Sequence, residues 1–170
     1  ENYLIGKRHL TDDEIAVLKK NGNRNVDSSW QNFYVSKEDG AFNPELIHST
    51  LFSGFIILGK IQSVELNYND LHLLCGIQNS RVSNIVVGDH CAIRDVHYLD
   101  NYILGERVIL FNVQEMCCTN HAKFGNGILK EGEPEEHRVW IGIANENEGR
   151  AVLPFEDMIP ADAYLWSHYR

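Results

Sequence analysis

The sequence predicts a mainly β protein, in which short coils of chain stack on one another as a parallel β-helix. Two observations lead to this prediction. A short unit occurs twice in succession, at residues 82–98 and 99–115, and an apolar residue followed by glycine recurs on both sides of it. Helical repeats usually exceed about 30 residues and carry a 3.6-residue periodicity, and neither feature accompanies this repeat. At 170 residues, the chain has room for one domain.

An N-terminal helix is the first predicted element. Residues 11–14, Thr-Asp-Asp-Glu, form the pattern of a capping box, and apolar side chains follow on one side of residues 15–18. Asn21-Gly22 supplies the stop signal. The acidic first turn and Lys19-Lys20 in the last turn both suit the helix dipole.

The segment after this helix is polar and irregular. We expect a short strand at residues 33–35 and a single helical turn opened by residues 43–45. Apolar residues 51–58 then begin the strands of the coils. Residues 1–50 are therefore predicted to form a helical cap with an irregular segment.

The two copies of the repeat match at equivalent positions. Three identical residues share these positions: Asn84 and Asn101, Gly88 and Gly105, Val96 and Val113. An apolar or aromatic residue also precedes glycine at five places along the chain, namely Gly59, Gly88, Gly105, Gly125 and Gly142. A unit of this length suits a triangular coil of three short strands, each of about six residues including its corner.

The chemistry of such a coil accounts for the residue types. The apolar residue points into a narrow interior, and the glycine or asparagine takes the corner, which often needs a positive φ. Asn84 and Asn101 are predicted to form a corner ladder, with their side-chain amides bonding from coil to coil. The long separation between Gly59 and Gly88 suggests that the coil holding residues 60–77 carries a loop or an irregular first turn. One coil cannot bury its inward face alone, so several must stack.

A closing helix is predicted after Pro160, with apolar side chains partly on one face. It runs to the last residue without a stop signal, which suggests that the chain continues in a longer protein. The sequence is therefore divided into a cap at residues 1–50, coils at residues 51–155 and a C-terminal helix at residues 156–170.

Composition and charge argue against several classes of function. The chain has 15 Lys and Arg against 24 Asp and Glu, a formal charge of −9, which disfavours nucleic acid as a partner. No apolar run approaches the roughly 20 residues that cross a bilayer, which argues against a membrane protein. The four cysteines show no C-x-x-C spacing and no disulfide framework, so reduced thiols in a cytoplasmic protein are the simplest interpretation.

The first resemblance to a known family lies in the repeat. Residues 87–92, Val-Gly-Asp-His-Cys-Ala, and residues 104–109, Leu-Gly-Glu-Arg-Val-Ile, fit the hexapeptide pattern of aliphatic, glycine, two variable, small and variable residues. This part of the chain resembles the hexapeptide-repeat superfamily of acyltransferases and nucleotide-sugar pyrophosphorylases. The resemblance implies a single-stranded, left-handed β-helix and a homo-oligomer, with a trimer as the expected assembly. The left hand rests on this resemblance, because most parallel crossovers are right-handed.

A second set of residues extends over nearly the whole chain: Gly76-Ile77 with Asn79, Val96-His97 with Asn101-Tyr102 and Gly105, residues 124–127, Asn145-Glu146 with Gly149-Arg150, and Tyr169-Arg170. Together these residues resemble an uncharacterised family of large bacterial β-helix proteins, described as a domain of unknown function. That resemblance implies a fold and further coils beyond this segment, but no established reaction.

The candidate catalytic residues are two histidines, His97 and His121. In the hexapeptide-repeat acyltransferases, a histidine in a cleft acts as general base on a sugar hydroxyl or amine, a task that suits the pKa of histidine. For either histidine, a structural or surface role is favoured over catalysis.

Five further residues are candidates for holding a ligand, which would be a nucleotide sugar or an acyl-CoA. Among them, Arg150 is able to bind a phosphate or carboxylate at two points, or to pair with neighbouring glutamates and fix a turn. The sequence contains no phosphate-binding G-x-x-x-x-G-K-[ST] loop and no H-E-x-x-H pattern, so no metal site and no cofactor are assigned. The five candidates are Asn101, Asn126, Asn145, Glu146 and Arg150.

Two functions compete at this point. In the first, the domain is a non-catalytic scaffold or oligomerisation module of a larger protein related to sugar metabolism. In the second, it is an acyltransferase or nucleotide-sugar-binding domain with a cleft histidine as base. The first is favoured slightly, because only two regular coils and no acid–base pair of fixed spacing are evident.

Overall fold

The computed structural model of the protein describes residues 2–119, 127, 129, 131–142, 150–155 and 157–169. The chain divides into two compact units, Glu1–Asn120 and His121–Arg170. The three-part division at residues 50 and 155 stays a prediction.

Short strands dominate the first unit, and the second adds a helix. The elements of the first unit are β1 (Lys7–His9), α1 (Asp12–Lys20), β2 (Arg24–Asn25), β3 (Phe33–Ser36), β4 (Ile47–His48), β5 (Leu51–Leu58), β6 (Glu65–Tyr68), β7 (Leu71–Leu74), β8 (Gly76–Gln78), β9 (Arg81–Val87), β10 (Ala92–Arg94), β11 (Tyr98–Leu104), β12 (Ile109–Phe111) and β13 (Glu115–Cys117). Those of the second unit are β14 (Ile141–Gly142), β15 (Ala151–Val152) and α2 (Pro160–Tyr169).

Two sheets organise the first unit. The larger has seven strands in the order β1-β3-β5-β9-β11-β13, with β2 also paired to β5. The smaller has four strands in the order β12-β10-β8-β4. Neighbouring strands in these sheets run parallel, except that β1 runs antiparallel to β3. Strands β6 and β7 form a separate antiparallel hairpin.

Successive passes of the chain stack as layers, each made of one short strand of the smaller sheet followed by one strand of the larger sheet. The layers are β4–β5, β8–β9, β10–β11 and β12–β13. Val82 pairs with Leu99, and Ala92 pairs with Ile109. Both pairs join residues at equivalent positions of the repeating units, so the predicted offset between the units is confirmed.

The hairpin β6–β7 accounts for the longest separation in the repeat. Leu58 pairs with Val87 on the neighbouring layer, although a long stretch of chain separates the two residues. The hairpin occupies part of that stretch and projects Tyr68, which is 68% exposed, into solvent. The loop predicted within residues 60–77 is confirmed, and it is a two-stranded one.

The predicted fold class is wrong. The sequence predicts a single-stranded left-handed parallel β-helix, whereas the described residues form a mixed α/β structure with parallel and mixed sheets, 16% helix, 39% strand and no closed barrel. A triangular coil needs three short strands, but each layer contributes one strand to each of two sheets. Asn84 and Asn101, the predicted corners, lie within β9 and β11 and do not end these strands. Each residue bends its strand through a positive φ, and its side chain bonds to a neighbouring layer.

Apolar side chains from both sheets form one core cluster. Phe52, Val82 and Leu99 occupy equivalent positions on β5, β9 and β11, and each is fully buried. Burial of one such side chain stabilises the fold by about 1.5–3 kcal/mol. A matching row on the smaller sheet is also fully buried: Ile47, Ile77 and Ile93.

The N-terminal helix begins as the sequence predicts. The Glu14 N–H donates to the Thr11 hydroxyl at 3.3 Å, and the Thr11 N–H donates to the Glu14 carboxylate at 2.8 Å. Arg8 donates two hydrogen bonds to the same carboxylate, and this contact lowers the pKa of Glu14 below its usual value. Leu18 is fully buried and joins the helix to the core. The short strand and the helical turn predicted next are confirmed as β3 and the 3₁₀ helix Pro44–Leu46.

The second unit contains the C-terminal helix that the sequence predicts, α2. Strands β14 and β15 pair antiparallel, and Val152 on β15 is buried. A 3₁₀ helix, Glu135–His137, precedes them. The Arg138 guanidinium donates to the Glu135 carboxylate at 2.5 and 3.0 Å and to the Gly127 carbonyl at 2.7 Å, which fixes this turn.

One corner of the stack brings backbone against backbone. The Gly59 N–H donates to the Val87 carbonyl at 2.7 Å, and the Gly88 N–H donates to the Leu104 carbonyl at 3.0 Å. A Cβ added to Gly88 would lie 2.5 Å from the carbonyl carbon of Gly105, whereas one added to Gly105 would meet nothing within 4 Å. Lack of space therefore requires glycine at position 88 but not at position 105.

Replacing Gly88 by alanine is expected to destabilise the protein by about 1–3 kcal/mol, because the new methyl group meets backbone atoms that cannot rotate away. The Gly105→Ala variant of the same 170-residue chain is the matched control. Its free energy of unfolding should equal that of the wild type or exceed it by up to about 1 kcal/mol. Urea unfolding followed by circular dichroism measures both variants, and equal losses of stability would contradict the close approach at this corner.

Candidate functional site

The predicted site residues that the structure describes are divided between the two units. His97 lies directly before β11, and Asn101 lies within it. Arg150 lies directly before β15 in the second unit and is exposed. The other candidates lie outside the described residues: His121, Asn126, Asn145 and Glu146. Among the described candidates, only His97 and Asn101 share a unit.

Asn101 takes part in the stacking of the layers. Its φ is +58°, its side-chain amide donates to the Cys118 carbonyl at 2.9 Å, and the Cys118 thiol donates to the Asn101 carbonyl at 2.9 Å. Asn84, with φ of +46°, accepts from the Phe55 N–H and donates to the Asp100 carboxylate at 3.0 Å. Bonding of both amides to neighbouring layers is confirmed, but their partners are backbone and carboxylate groups, so the described residues show no ladder of asparagine bonded to asparagine.

A cleft of about 290 Å³ opens beside His97, at the turns that join short strands to long strands. Its lining includes three basic side chains: Arg24, Arg81 and His97. None of the ten residues that line it is Asp or Glu. This cleft is the candidate functional site of the first unit.

The strand register places the two arginines in one outward-facing row. Arg24 pairs with Leu51, and Leu51 pairs with Arg81. Since neighbouring strands lie about 4.8 Å apart, the two arginine backbones are roughly 10 Å apart, with Leu51 between them. The residues that follow the arginines, Asn25 and Val82, are buried, so the exposed arginine side chains point away from the core.

The floor of the cleft is a turn whose polar groups are already bonded. Asn79 has a φ of +46°, and its side-chain amide donates to the Asp95 carboxylate at 2.7 Å. The Ser80 hydroxyl donates to the Gln78 carbonyl at 2.7 Å and accepts from the Val96 N–H at 3.2 Å. These bonds fix the shape of the floor.

His97 lies at an insertion. Gln78 pairs with Arg94, and Val82 pairs with Leu99. Residues 79–81 therefore fill the turn of one layer, and residues 95–98 fill the turn of the next, which is longer by one. The extra residue lets the exposed His97 reach the cleft.

Among the described residues, the basic groups of the cleft have no carboxylate partner. Within the residues that the structure describes, no hydrogen bond or ion pair joins the side chains of Arg24, Arg81 or His97 to another side chain. The guanidinium carbon of Arg81 lies 5.4 Å from the centre of the Tyr98 ring, which is a cation–π contact. Arg8, by contrast, is paired with a carboxylate. The cleft is thus a local positive region in a chain of net charge −9.

Metal and thiol chemistry receive no support from the described residues. No group of three or more His, Cys, Asp or Glu side chains among them is placed to hold a metal ion. Desolvation by burial raises the pKa of the Cys75 thiol and raises that of Cys91 to about 11. A hydrogen bond to the Glu115 carboxylate raises the pKa of the exposed Cys117 thiol. These three thiols are therefore protonated at neutral pH, in which form they are poor nucleophiles.

Sequence reasoning did not select Arg24 and Arg81. They lie far apart in the chain, one in the irregular N-terminal segment and the other at the start of the repeat, and neither belongs to a motif. The row they form exists only through the pairing of β2 with β5 and of β5 with β9. No local signal in the sequence could have found it.

Comparison with known proteins identifies a family. A family model described as Domain of unknown function (DUF4954) matches residues 7–170. The chain belongs to this family. Over 163 residues it is 39% identical to an uncharacterized protein of Treponema pallidum (strain Nichols). That match covers 96% of this chain and 22% of the relative, so the chain spans about a fifth of the relative's length. No solved structure matches.

Membership of DUF4954 confirms the resemblance to a family of unknown function. The comparisons give no support for the hexapeptide-repeat superfamily, nor for the transferase activity and the trimer that this resemblance implies. None of the helices described in this DUF4954 chain has the length and apolar character needed to cross a membrane.

The Glu115→Gln variant is expected to increase the rate at which Cys117 reacts with iodoacetamide at mildly alkaline pH. The Glu115 carboxylate accepts the thiol hydrogen at 3.1 Å and disfavours the thiolate, and a neutral amide removes that repulsion. Mass spectrometry in a Cys118→Ser background isolates Cys117, and buried Cys91 in the same sample serves as the unreactive control. The two rates should converge once the pH exceeds both pKa values. Equal rates at lower pH would contradict the assigned cause of the pKa shift.

Proposed function

We propose that this domain is a non-catalytic scaffold segment of a longer protein, in which further strands of the same polypeptide continue the stack. The observation that carries the proposal is the burial of the core rows. Ile47, Ile77 and Ile93 are fully buried in the first three layers, while Leu110, the next residue of that row, is only partly buried. The interior is therefore sealed in three layers and incompletely covered in the fourth.

The long strands follow the same trend. Phe52, Val82 and Leu99 are fully buried, and Met116, which pairs with Leu99, is only partly buried. Partly buried apolar side chains on two neighbouring strands form a surface that gains stability when another layer covers it, at about 25 cal/mol for each Å² removed from water.

The backbone of the fourth layer supports the same proposal. Among the described strands, β12 pairs only with β10, and β13 pairs only with β11. Edges of this kind carry N–H and C=O groups able to pair with a further strand. Gly105, which opens this layer, has room on its outer side, whereas Gly59 and Gly88 are in close contact with the next layer.

The polar chemistry of the layers favours a scaffold over a transferase. The asparagine, serine and aspartate side chains at the turns bond between layers, and so they are used for stacking. In a catalytic triad, the histidine base is oriented by a partner bonded to its second ring nitrogen. No hydrogen bond supplies that partner to His97 within the described part of the chain. A role in sugar metabolism rests on resemblance alone, and the geometry adds nothing to it.

Hydrogen–deuterium exchange tests this proposal. In the full-length protein, amides of β12 and β13 should exchange at least about 10-fold more slowly than in the 170-residue chain, because a further layer would pair their outer edges. Strands β8 and β9, which have neighbours on both sides, should exchange alike in the two proteins.

A pair of variants sharpens this test. Leu110 faces the core and Phe111, its neighbour on β12, is 47% exposed. Leu110→Asp in the full-length protein should return β12 to fast exchange, while Phe111→Asp should leave it slow. Equal protection of β12 in the short and the full-length wild-type proteins would refute the continuation of the stack.

A further inference from the structure

We propose that the cleft between Arg24, Arg81 and His97 binds the phosphate group of a small phosphate monoester. This inference is independent of the scaffold role. It rests on the charge, the geometry and the size of the cleft.

The charge of the cleft opposes that of the whole chain. Acidic residues outnumber basic ones by 24 to 15, yet no acidic residue of the described part of the chain lines the cleft. The Asp95 carboxylate, which accepts a hydrogen bond from the lining residue Asn79, is not itself part of the lining. A second cleft, beside Trp30, contains Asp12 as well as Lys19, so its charges balance. The Arg24–Arg81 cleft is therefore distinguished by unbalanced positive charge.

The two guanidinium groups are available for a ligand. Neither Arg24 nor Arg81 spends its donors on a side chain in the described part of the molecule. An arginine presents five N–H donors in a planar fork that matches phosphate or carboxylate at two points. Contact with Tyr98 restricts the Arg81 fork before any ligand arrives, which lowers the entropy lost on binding.

The spacing of the arginines favours a phosphate group. Their backbones are roughly 10 Å apart on either side of Leu51, so their side chains are able to converge on one group from two sides. A phosphate monoester carries close to two negative charges at neutral pH and three acceptor oxygens, enough for two guanidinium groups and the His97 ring. A carboxylate offers one charge and two oxygens, and so satisfies one fork only.

The cleft is small and its position is defined by strands. Its volume of about 290 Å³ lies just below the range of roughly 300–1,000 Å³ that ligand pockets occupy, which suits a small ester better than an acyl-CoA. Arg24 begins β2 and Arg81 begins β9, and both strands pair with β5. Groups mounted on paired strands are positioned more accurately than groups on loops.

Isothermal titration calorimetry on the full chain tests the proposal, with glucose 6-phosphate, inorganic phosphate, glucose and succinate as probes. Glucose 6-phosphate should bind, and glucose, which lacks the phosphate, should not. Arg24→Gln and Arg81→Gln should each raise the Kd for glucose 6-phosphate about 10- to 100-fold, the effect of losing charge-assisted hydrogen bonds.

Two further variants control for charge and for folding. Arg107→Gln makes the same change of charge at an exposed arginine outside the cleft and should leave the Kd unchanged. Arg81→Lys keeps the charge but loses the planar fork, so it should weaken binding while circular dichroism stays that of the wild type.

Each outcome decides the proposal. Binding of inorganic phosphate as tight as that of the ester, or weaker, supports it in either case and distinguishes recognition of the anion alone from recognition of the ester. Three results would overturn it: no binding of either phosphate probe to the wild type, equal loss of affinity in the Arg107→Gln and cleft variants, or succinate binding as tightly as glucose 6-phosphate.

Discussion

The close approach of backbones at one corner determines how the layers stack. Each glycine there donates its N–H to the carbonyl that precedes the next glycine, at 2.7 Å from Gly59 and 3.0 Å from Gly88. A side chain at Gly59 or Gly88 would have to occupy the space of the next layer's backbone. The long strands end at this corner, so the contact there holds β9 and β11 in the register that the repeat predicts. That register aligns the buried residues of the core in rows. The burial of those rows therefore depends on the absence of a side chain at Gly59 and at Gly88.

Another corner meets a different constraint, because Asn84 and Asn101 are not glycine and yet have positive φ. That conformation costs an ordinary residue roughly 1–2 kcal/mol. At Asn84 the cost is offset by two hydrogen bonds, one of them to the Asp100 carboxylate, and bonds to charged groups contribute about 1.5–3 kcal/mol each. Gly54 occupies this corner one layer earlier, and a Cβ there would collide with the Asn84 side chain. Gly54 on one layer therefore leaves room for the Asn84 side chain of the next layer.

Much of this stacking was predictable from sequence, while the fold class and the cleft were not. The offset that aligns Val82 with Leu99, the capping box at Thr11 and the positive φ of Asn84 follow from local or periodic features of the sequence, and the structure confirms each of them. The β-helix prediction failed because it took every corner as the end of a strand, whereas Asn84 lies inside β9. The row of Arg24 and Arg81 was out of reach because it depends on β2 pairing with β5, a contact between an irregular segment and the repeat.

A scaffold and a binding cleft are compatible in this fold because one strand serves both. On β9 the buried Val82 belongs to the core row, and the preceding Arg81 faces outward into the cleft. Alternation along a strand separates the two roles, so an exposed residue of the row can change without removing any apolar surface from the core. The insertion at His97 acts in the same way, since it lengthens one turn and leaves the pairing of Val82 with Leu99 in place. The core therefore fixes where each outward-facing turn lies, but not which side chains the turn carries. A stack of this kind is able to hold a binding site at a turn while its core continues from layer to layer.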